Sequence, residues 1–183
     1  MNICVFCGSS IGKDPIFAKA ANQLGSFIGS SKSTLIYGGG NVGLMGIVAD
    51  ATLAAGGKVT GVIPEFLLRR EVAHRGLTQL EVVESMHERK KRMADLSDAF
   101  IAMPGGWGTL DELAEILTWK QLGLINQPIG ILNTDHFFDT LLNQMDVMVE
   151  KGFLPEASFQ SIKIAEHPKE LLTQLGVIFV QPN

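Results

Sequence analysis

The stretch Ser33-Thr34-Leu35-Ile36-Tyr37-Gly38-Gly39-Gly40-Asn41-Val42-Gly43-Leu44-Met45-Gly46 joins a short apolar run to a helical pattern through three consecutive glycines. A short apolar run bounded by turn residues is typical of a buried strand, and the glycines are typical of a tight turn. A strand, a turn and a helix in this order form the repeating unit of parallel sheets that helices cover. The stretch therefore predicts an α/β fold.

The same alternation extends along all 183 residues, and no linker, repeat or low-complexity tract divides them. We predict one nucleotide-binding domain over 1–183: a Rossmann-like, doubly wound parallel sheet of about 6–7 strands with helices on both faces. The predicted strands lie near 2–7, 33–37, 58–63, 79–83, 98–103 and 128–132, with a weaker seventh near 161–165. The predicted helices lie near 14–30, 43–56, 85–97, 109–123, 136–151 and 168–175.

Composition excludes several classes of protein. A hydrophobic fraction of 46% with 19% charged residues is typical of a globular domain with a large core. The net charge of -4 argues against a nucleic-acid groove, which needs clustered Lys and Arg. With no basic leader and no long apolar run, we expect neither secretion nor membrane insertion, and a cytoplasmic location. Cys4 and Cys7 form C-x-x-C within an apolar run, so we expect buried strand thiols rather than a redox pair.

Turn-forming segments follow four of the predicted strands. They are 7–10 (Cys-Gly-Ser-Ser), 38–41 (Gly-Gly-Gly-Asn), 63–65 (Ile-Pro-Glu) and 104–106 (Pro-Gly-Gly). The carboxyl ends of parallel strands share one edge of the sheet, and ligands bind there where the strand order reverses. Because backbone N–H groups of such loops hold anions, we expect a ligand that carries phosphate.

Residues 38–43 also satisfy G-x-G-x-x-G, which makes a dinucleotide site an alternative. Two features weaken this alternative. The loop follows the second strand rather than the first. The carboxylate that would bind ribose is expected at the end of the next strand, about 20 residues on, but Glu65 lies beyond that point and follows a proline. Two other interpretations of this loop are open. It is either a tight turn that lets the helix pack closely on the sheet, or a loop that contacts phosphate or sugar of a ligand other than a dinucleotide.

Arg89 is the cation of segment 86–93 that we expect to be buried. It lies three residues after Met86 and four before Met93, which places it on the apolar stripe of the predicted helix. A buried arginine needs a carboxylate or a bound anion, so either a site role or a structural ion pair is indicated. No histidine has a second at metal-ligand spacing, and no signature of a Ser or Cys nucleophile is present, so we expect neither metal nor covalent catalysis.

The second glycine loop, Pro104-Gly105-Gly106-Trp107-Gly108-Thr109-Leu110-Asp111-Glu112, places two carboxylates just after a candidate anion loop. One explanation is structural. Thr109 and Glu112 fit a T-x-x-E capping box with Thr109 as N-cap, much as Ser85 and Glu88 fit S-x-x-E, and Asp111 complements the helix dipole. The other explanation is that Glu112 acts on the ligand, and the residues alone leave both open.

Four motifs together resemble the Lonely Guy (LOG) family of cytokinin riboside 5'-monophosphate phosphoribohydrolases. They are Cys7-Gly8-Ser9-Ser10, Gly38-Gly39-Gly40 with Gly43-Leu44-Met45-Gly46, Met86-His87-Glu88-Arg89-Lys90, and residues 104–112. The combination of M-H-x-R-K with P-G-G-x-G-T-x-x-E is the specific part. Members were long labelled lysine decarboxylases, but no pyridoxal-phosphate signature is visible here. We therefore set that label aside and expect no cofactor.

The resemblance implies hydrolysis of the N-glycosidic bond of a purine nucleoside 5'-monophosphate to free base and ribose 5-phosphate. The family's catalytic pair maps onto Arg89 and Glu112. The predicted substrate site comprises Gly8, Ser9, Gly39, Gly40, Glu71, Lys90, Gly105, Gly106, Trp107, Gly108, Thr109, Leu110, Asp111 and Thr118. Family members are dimers or assemblies of dimers, with the site close to the subunit contact, so the resemblance also implies a homodimer or a higher assembly.

In this interpretation an ionised Glu112 would stabilise the cation that develops at the anomeric carbon and orient the attacking water. Arg89 would anchor Glu112 or the phosphate, or assist departure of the base, and Glu71 would be a second acid or a ribose acceptor. A non-catalytic nucleotide sensor on the same scaffold is the alternative function, and a dinucleotide oxidoreductase comes third. The preferred base, prenylated adenine or the plain adenine of an AMP nucleosidase, stays open.

Overall fold

The structure, a computed structural model, describes residues 1–68 and 73–179. This part of the chain contains seven strands and seven α-helices, which alternate except that no α-helix separates β3 from β4 and α6 follows α5 directly. The strands are β1 (Asn2–Phe6), β2 (Thr34–Tyr37), β3 (Lys58–Pro64), β4 (Gln79–Val83), β5 (Ala99–Ala102), β6 (Ile129–Leu132) and β7 (Lys163–Ala165). The helices are α1 (Pro15–Ser30), α2 (Gly43–Ala54), α3 (Met86–Asp95), α4 (Trp107–Gln121), α5 (Asp139–Glu150), α6 (Glu156–Gln160) and α7 (Pro168–Gln174). Every predicted strand and helix is present, and only α6 was not predicted.

All seven strands form one parallel sheet in the order β4-β3-β2-β1-β5-β6-β7. The central strand β1 pairs with both of its neighbours: Ile3 lies opposite Leu35 of β2 on one side and Ala99 of β5 on the other. The strand order therefore reverses between β1 and β5. This is the doubly wound, Rossmann-like fold that the sequence predicts, and it places the crevice for a ligand beyond the carboxyl ends of β1 and β5.

Two hydrophobic layers cover the sheet because successive side chains of each strand point to opposite faces. In β1, Ile3 and Val5 pack into one layer with α1, α2 and α7, whereas Cys4 and Phe6 pack into the other with α3, α4 and α5. The central strands are buried on both faces, which explains why they read as continuous apolar runs rather than as alternating ones. Within the described residues, no helix has the length and apolar character needed to cross a membrane.

Candidate active site

Three loops meet at the reversal point between β1 and β5. The Gly8 N–H donates to the Pro104 carbonyl oxygen at 3.1 Å, and the Leu44 N–H donates to the Gly8 carbonyl oxygen at 3.0 Å. The loop after β1 is thus bonded both to the loop after β5 and to the start of α2, which follows β2. These contacts confirm the prediction that the glycine-rich segments share one edge of the sheet.

Glycine is required where these loops touch. A methyl group at Gly105 would collide with the Thr109 hydroxyl and lie 2.8 Å from the Gly8 nitrogen. At Gly43 a methyl group would collide with the Ser9 backbone, and its φ of +59° lies in the left-handed region. The three loops therefore form one packed cradle.

Helix α4 begins earlier than the sequence predicts. Its N-cap is Gly106, no side chain caps it, and Thr109 is the third helical residue. The capping-box interpretation of Thr109 and Glu112 is therefore wrong, since Thr109 lies inside the helix. The first N–H groups of a helix have no partner within it and carry partial positive charge. A methyl group at Gly106 or Gly108 would meet no atom within 4 Å, so the backbone here is open to a ligand.

A cavity of about 230 Å³ opens beside this helix start. The predicted site residues that line it are Gly8, Ser9, Arg89, Gly106, Trp107, Gly108, Thr109 and Glu112. Gly38 and the apolar residues Phe6, Met45, Leu67 and Met86 also line it, and the sequence analysis did not assign them to the site. Met86 was detectable, because it lies one helical turn before Arg89 on the same stripe. The cavity is thus lined by both polar and apolar residues.

Arg89 is buried, with only 4% of its surface exposed, as its position on the apolar stripe predicts. Its Nη2 donates to the Gly38 carbonyl oxygen at 3.1 Å, and its Nη1 lies 3.7 Å from the Met86 sulfur. The helix that carries it is capped as predicted, because the Ser85 hydroxyl accepts from the Glu88 N–H at 3.1 Å. A methyl group at Gly38 would collide with Arg89 Nη2. The first glycine loop therefore fixes the guanidinium.

Glu112 is also buried, with 9% of its surface exposed, and it faces the cavity one turn after Gly108. Its carboxylate lies close enough to two thiols to affect them. Burial raises the pKa of the Cys4 and Cys7 thiols, and the negative charge of Glu112 raises both further. Arg89 acts on Cys4 in the opposite direction. A buried cation and a buried anion thus occupy the same small region below the cradle.

Lys90 and Asp111, both predicted nucleotide contacts, bond to each other. Lys90 Nζ lies 3.1 Å from Asp111 Oδ2 and 3.2 Å from Glu115 Oε1, which joins α3 to α4. Burial by itself lowers the pKa of Lys90, but the hydrogen bonds to the two carboxylates outweigh it and raise this pKa overall. Lys90 is therefore a charged group at the junction of the two helices.

The structure does not bring every predicted residue to the cavity. Among the described residues, six further predicted contacts do not line it: Gly39, Gly40, Lys90, Gly105, Leu110 and Asp111. Gly105 nevertheless packs against residues that do. Thr118 is exposed, donates to the Ala114 carbonyl oxygen at 2.7 Å, and lines a separate groove. Glu71 lies outside the described residues. Within residues 1–68 and 73–179, no group of three or more His, Cys, Asp or Glu side chains lies close enough together to hold a metal ion.

Comparison with known proteins identifies relatives of this chain. A family model described as "Possible lysine decarboxylase" matches residues 45–175. The chain is 47% identical over 173 residues to cytokinin riboside 5'-monophosphate phosphoribohydrolase LOG7 of Arabidopsis thaliana, a match that covers 94% of this chain and 80% of that protein. It is 46% identical to the probable enzyme LOGL2 of Oryza sativa subsp. japonica, over 94% of this chain and 71% of that protein.

Solved structures share the fold at lower identity. The molybdenum cofactor binding protein of Rippkaea orientalis superposes with a TM-score of 0.68 at 23% identity, covering 94% of this chain and 92% of that one. The molybdenum cofactor carrier protein of Chlamydomonas reinhardtii superposes with a TM-score of 0.69 at 20% identity, covering 94% of each chain. At this identity the likeness concerns the fold alone.

The fold and the cavity together define a Rossmann-like protein with a cavity at its strand-order reversal, where ligands bind in folds of this class. The chain belongs to the LOG family of cytokinin riboside 5'-monophosphate phosphoribohydrolases, the family that the sequence motifs indicate.

Proposed function

We propose that this chain hydrolyses the N-glycosidic bond of purine nucleoside 5'-monophosphates, cytokinin-type nucleotides among them, to free base and ribose 5-phosphate. One observation carries the proposal: buried Arg89 and buried Glu112 line one cavity beside the open N-terminus of α4. The names of the curated relatives support the same activity. The description of the matching family model as a possible lysine decarboxylase differs from those names. Near-half identity over 94% of the chain favours the phosphoribohydrolase.

The open start of α4 is suited to the 5'-phosphate. Its first N–H groups and its dipole favour an anion, and the absence of side chains at Gly106 and Gly108 lets a phosphate approach the backbone. Glu112 lies four residues after Gly108, which is about 6 Å along the helix axis. A ribose ring spans a similar distance between its 5'-phosphate and its anomeric carbon. A phosphate bound at the helix start therefore directs the anomeric carbon towards Glu112.

The chemistry then follows from the charge that develops. As the bond between the anomeric carbon and the base nitrogen breaks, its electron pair leaves with the base, which takes up a proton. The anomeric carbon becomes positive, and the Glu112 carboxylate stabilises it and accepts a proton from the attacking water. A preorganised charge and a general base each typically raise the rate of the chemical step by a factor of about 10² to 10⁴. Arg89, fixed by Gly38, holds positive charge beside the carboxylate or the departing base.

The direct test is a product assay. Purified protein is incubated with isopentenyl-AMP, with AMP, and with the riboside that lacks the phosphate, and the products are separated by chromatography. We expect equimolar free base and ribose 5-phosphate from a monophosphate. The riboside should react at least about 10²-fold more slowly, because the binding energy of the phosphate is lost. Monophosphates that bind tightly but are recovered intact would instead indicate the nucleotide sensor. AMP as a substrate and a cytoplasmic location remain predictions from the sequence.

We also propose that the chain forms a homodimer through the groove that Thr118 lines. This groove has a volume of about 670 Å³ and lies between α4, α5 and α6. Its walls are mostly apolar: Leu110, Leu113, Leu117, Met145, Met148, Phe153, Leu154, Phe159 and Ile162. Phe153 is 84% exposed, and Leu122 and Leu124 nearby in the chain are 65% and 67% exposed. Apolar surface of this extent is typical of a protein interface.

The position of the groove links it to the site, because α4 supplies Glu112 to the cavity and Leu110 and Leu117 to the groove. A second copy seated there would put the subunit contact against the helix that carries Glu112, in agreement with the expectation of a site close to the subunit contact. Light scattering tests the proposal. We expect a particle of twice the chain mass of 19.8 kDa, and a monomer for Leu117→Glu. A wild-type monomer at micromolar concentration would contradict the proposal.

A further inference from the structure

Outside the cavity, the side chain of His74 is buried and both of its ring nitrogens are hydrogen-bonded. The Gly76 N–H donates to Nδ1 at 3.1 Å, and Nε2 lies 2.9 Å from Asp50 Oδ1 on α2. A nitrogen that accepts from an N–H carries no proton, so the single proton of the neutral ring lies on Nε2 and is donated to Asp50. His74 is therefore held in one tautomer and one orientation.

The backbone of the same residue is held against the first glycine loop. The His74 N–H donates to the Gly39 carbonyl oxygen at 3.0 Å, and Ala73 forms an antiparallel bridge with Gly40. Gly39 has a φ of +77°, so the loop is in a conformation that needs glycine. The side chain of His74 thus connects α2 to the segment that covers this loop.

The preceding carbonyl of the loop bonds to Arg89. Gly38 O accepts from Arg89 Nη2, and Gly39 O accepts from the His74 N–H. These two carbonyls belong to consecutive planar peptide units, so a rotation of one shifts the other. A shift of the His74 backbone would therefore move the Gly39 carbonyl, and with it the adjacent Gly38 carbonyl that binds Arg89.

Asp50 lies away from the cavity. Its side chain is 69% exposed, and it is not among the residues that line the cavity. It belongs to α2, whose first residue, Gly43, packs on the Ser9 backbone of the cradle. The carboxylate is therefore fixed to the same rigid element as the cradle.

We propose that Asp50 and His74 form a positioning pair that fixes the Gly38 and Gly39 peptides and thereby orients the Arg89 guanidinium. This inference rests on the proposed function, because its consequence is a rate of N-glycosidic hydrolysis. The pair orients Arg89 without contacting the substrate, so its loss should lower kcat and leave KM nearly unchanged.

Three single variants, the double variant Asp50→Ala/His74→Asn and one control test the pair. Asp50→Ala removes the acceptor, whereas Asp50→Asn keeps an amide oxygen for the Nε2 proton. His74→Asn keeps an acceptor for the Gly76 N–H but is too short to reach Asp50. The control is Asp95→Ala, which removes an equally charged side chain from the exposed Lys91–Asp95 pair on α3.

We expect Asp50→Ala and His74→Asn each to lower kcat for isopentenyl-AMP by about 10-fold, since small misplacements of catalytic groups have effects up to about 10². KM should change by less than about 2-fold. The double variant should be no slower than either single variant, because both act through one hydrogen bond. Asp50→Asn and the control Asp95→Ala should retain kcat. If the wild type is active, an Asp50→Ala variant with unchanged kcat would overturn the proposal. An Asp50→Asn variant that is as slow as Asp50→Ala would also overturn it.

Amide hydrogen exchange separates failure of this proposal from failure of the proposed function. In ligand-free protein, Asp50→Ala should speed exchange of the His74 amide at least about 10-fold, because its bond to Gly39 loses support. The control Asp95→Ala should not change this rate. If the wild type hydrolyses no nucleotide, the proposed function fails and the exchange rate still decides whether the pair holds the loop. An unchanged exchange rate of the His74 amide in Asp50→Ala would overturn the proposal that the pair holds the loop.

Discussion

Lys90 Nζ lies 3.1 Å from Asp111 Oδ2, and each of these residues is the chain neighbour of a proposed catalytic residue. Lys90 follows Arg89 on α3, and Asp111 precedes Glu112 on α4. The ion pair therefore joins the two helices that present the cation and the carboxylate to the cavity. Lys90 is mostly buried, whereas Asp111 is mostly exposed.

Lys90→Met should lower kcat/KM at least about 10-fold, because a hydrogen bond to a charged group contributes about 1.5–3 kcal/mol. A rise in KM alone would assign Lys90 to nucleotide binding, and a fall in kcat alone would assign it to the alignment of α3 with α4. Steady-state kinetics on isopentenyl-AMP measures both. Lys91→Met is the control, because Lys91 bonds only to exposed Asp95 among the contacts described. Wild-type values of both constants would exclude Lys90 from the site.

Gly38→Ala should abolish most of the turnover, because the added methyl group occupies the position of Arg89 Nη2. Displacement of the guanidinium by about 1 Å is expected to cost about 10²-fold in kcat. Gly56→Ala provides the comparison. Gly56 has a φ of +78° and open space around it, so this variant should lose about 1 kcal/mol of stability and keep its turnover. Equal kinetics for the two variants would show that the Gly38–Arg89 contact does not matter for catalysis.

The two thiols should be unreactive in the native protein. Burial raises the pKa of Cys4 and of Cys7, the Glu112 charge raises both further, and the thiolate is the reactive species. A colorimetric disulfide reagent at pH 8 should therefore label the folded protein only slowly, and two thiols per chain should react in guanidinium chloride. Rapid labelling of a native thiol would mean that the floor of the cavity is more open than the structure shows.

The Arg92–Glu81 ion pair should make stability depend on pH in the acid range. Arg92 Nε lies 2.6 Å from Glu81 Oε2 and Nη2 lies 3.1 Å from Oε1, and these bonds hold the pKa of Glu81 below its ordinary value. A lowered folded-state pKa stabilises the protein above the unfolded value of about 4.3, and this contribution is lost as pH falls through the folded value.

Arg92→Gln should therefore lower the free energy of unfolding at pH 7 by at most about 1 kcal/mol, since the pair is partly exposed. The difference from wild type should vanish in strong acid. Denaturant titrations at pH 7 and pH 3 measure it, and a difference that grows in acid would contradict the assignment.

Most of the fold could be predicted because most strands are short apolar runs and glycine or proline marks many of the turns. The burial of Arg89 was also predictable, since its helical spacing from Met86 and Met93 is visible in the sequence. The start of α4 was not. The T-x-x-E pattern favours a helix start at Thr109, but the helix begins after Gly106, where the loop packs on Gly8.

The start of α5 and the whole of α6 could not be predicted from local patterns either. Helix α5 begins at Asp139 rather than near 136, because Asp135 and His136 have φ values of +54° and +57° and the Asn133 side chain accepts from the Phe138 N–H at 2.7 Å. Helix α6 has five residues, too few to show a helical period. The position of Thr118 depends on the packing of α4 between the cavity and the groove, which single-sequence spacing does not specify.

The measurement that tests the account most directly is the rate of ribose 5-phosphate release by Glu112→Gln. Glu112 has no capping role and glutamine keeps the size of its side chain, so the variant should fold and still bind the nucleotide. We predict that its turnover of isopentenyl-AMP falls at least about 10²-fold, because the amide neither stabilises the cation nor accepts a proton. A Glu112→Gln protein that releases ribose 5-phosphate at nearly the wild-type rate would contradict the central claim.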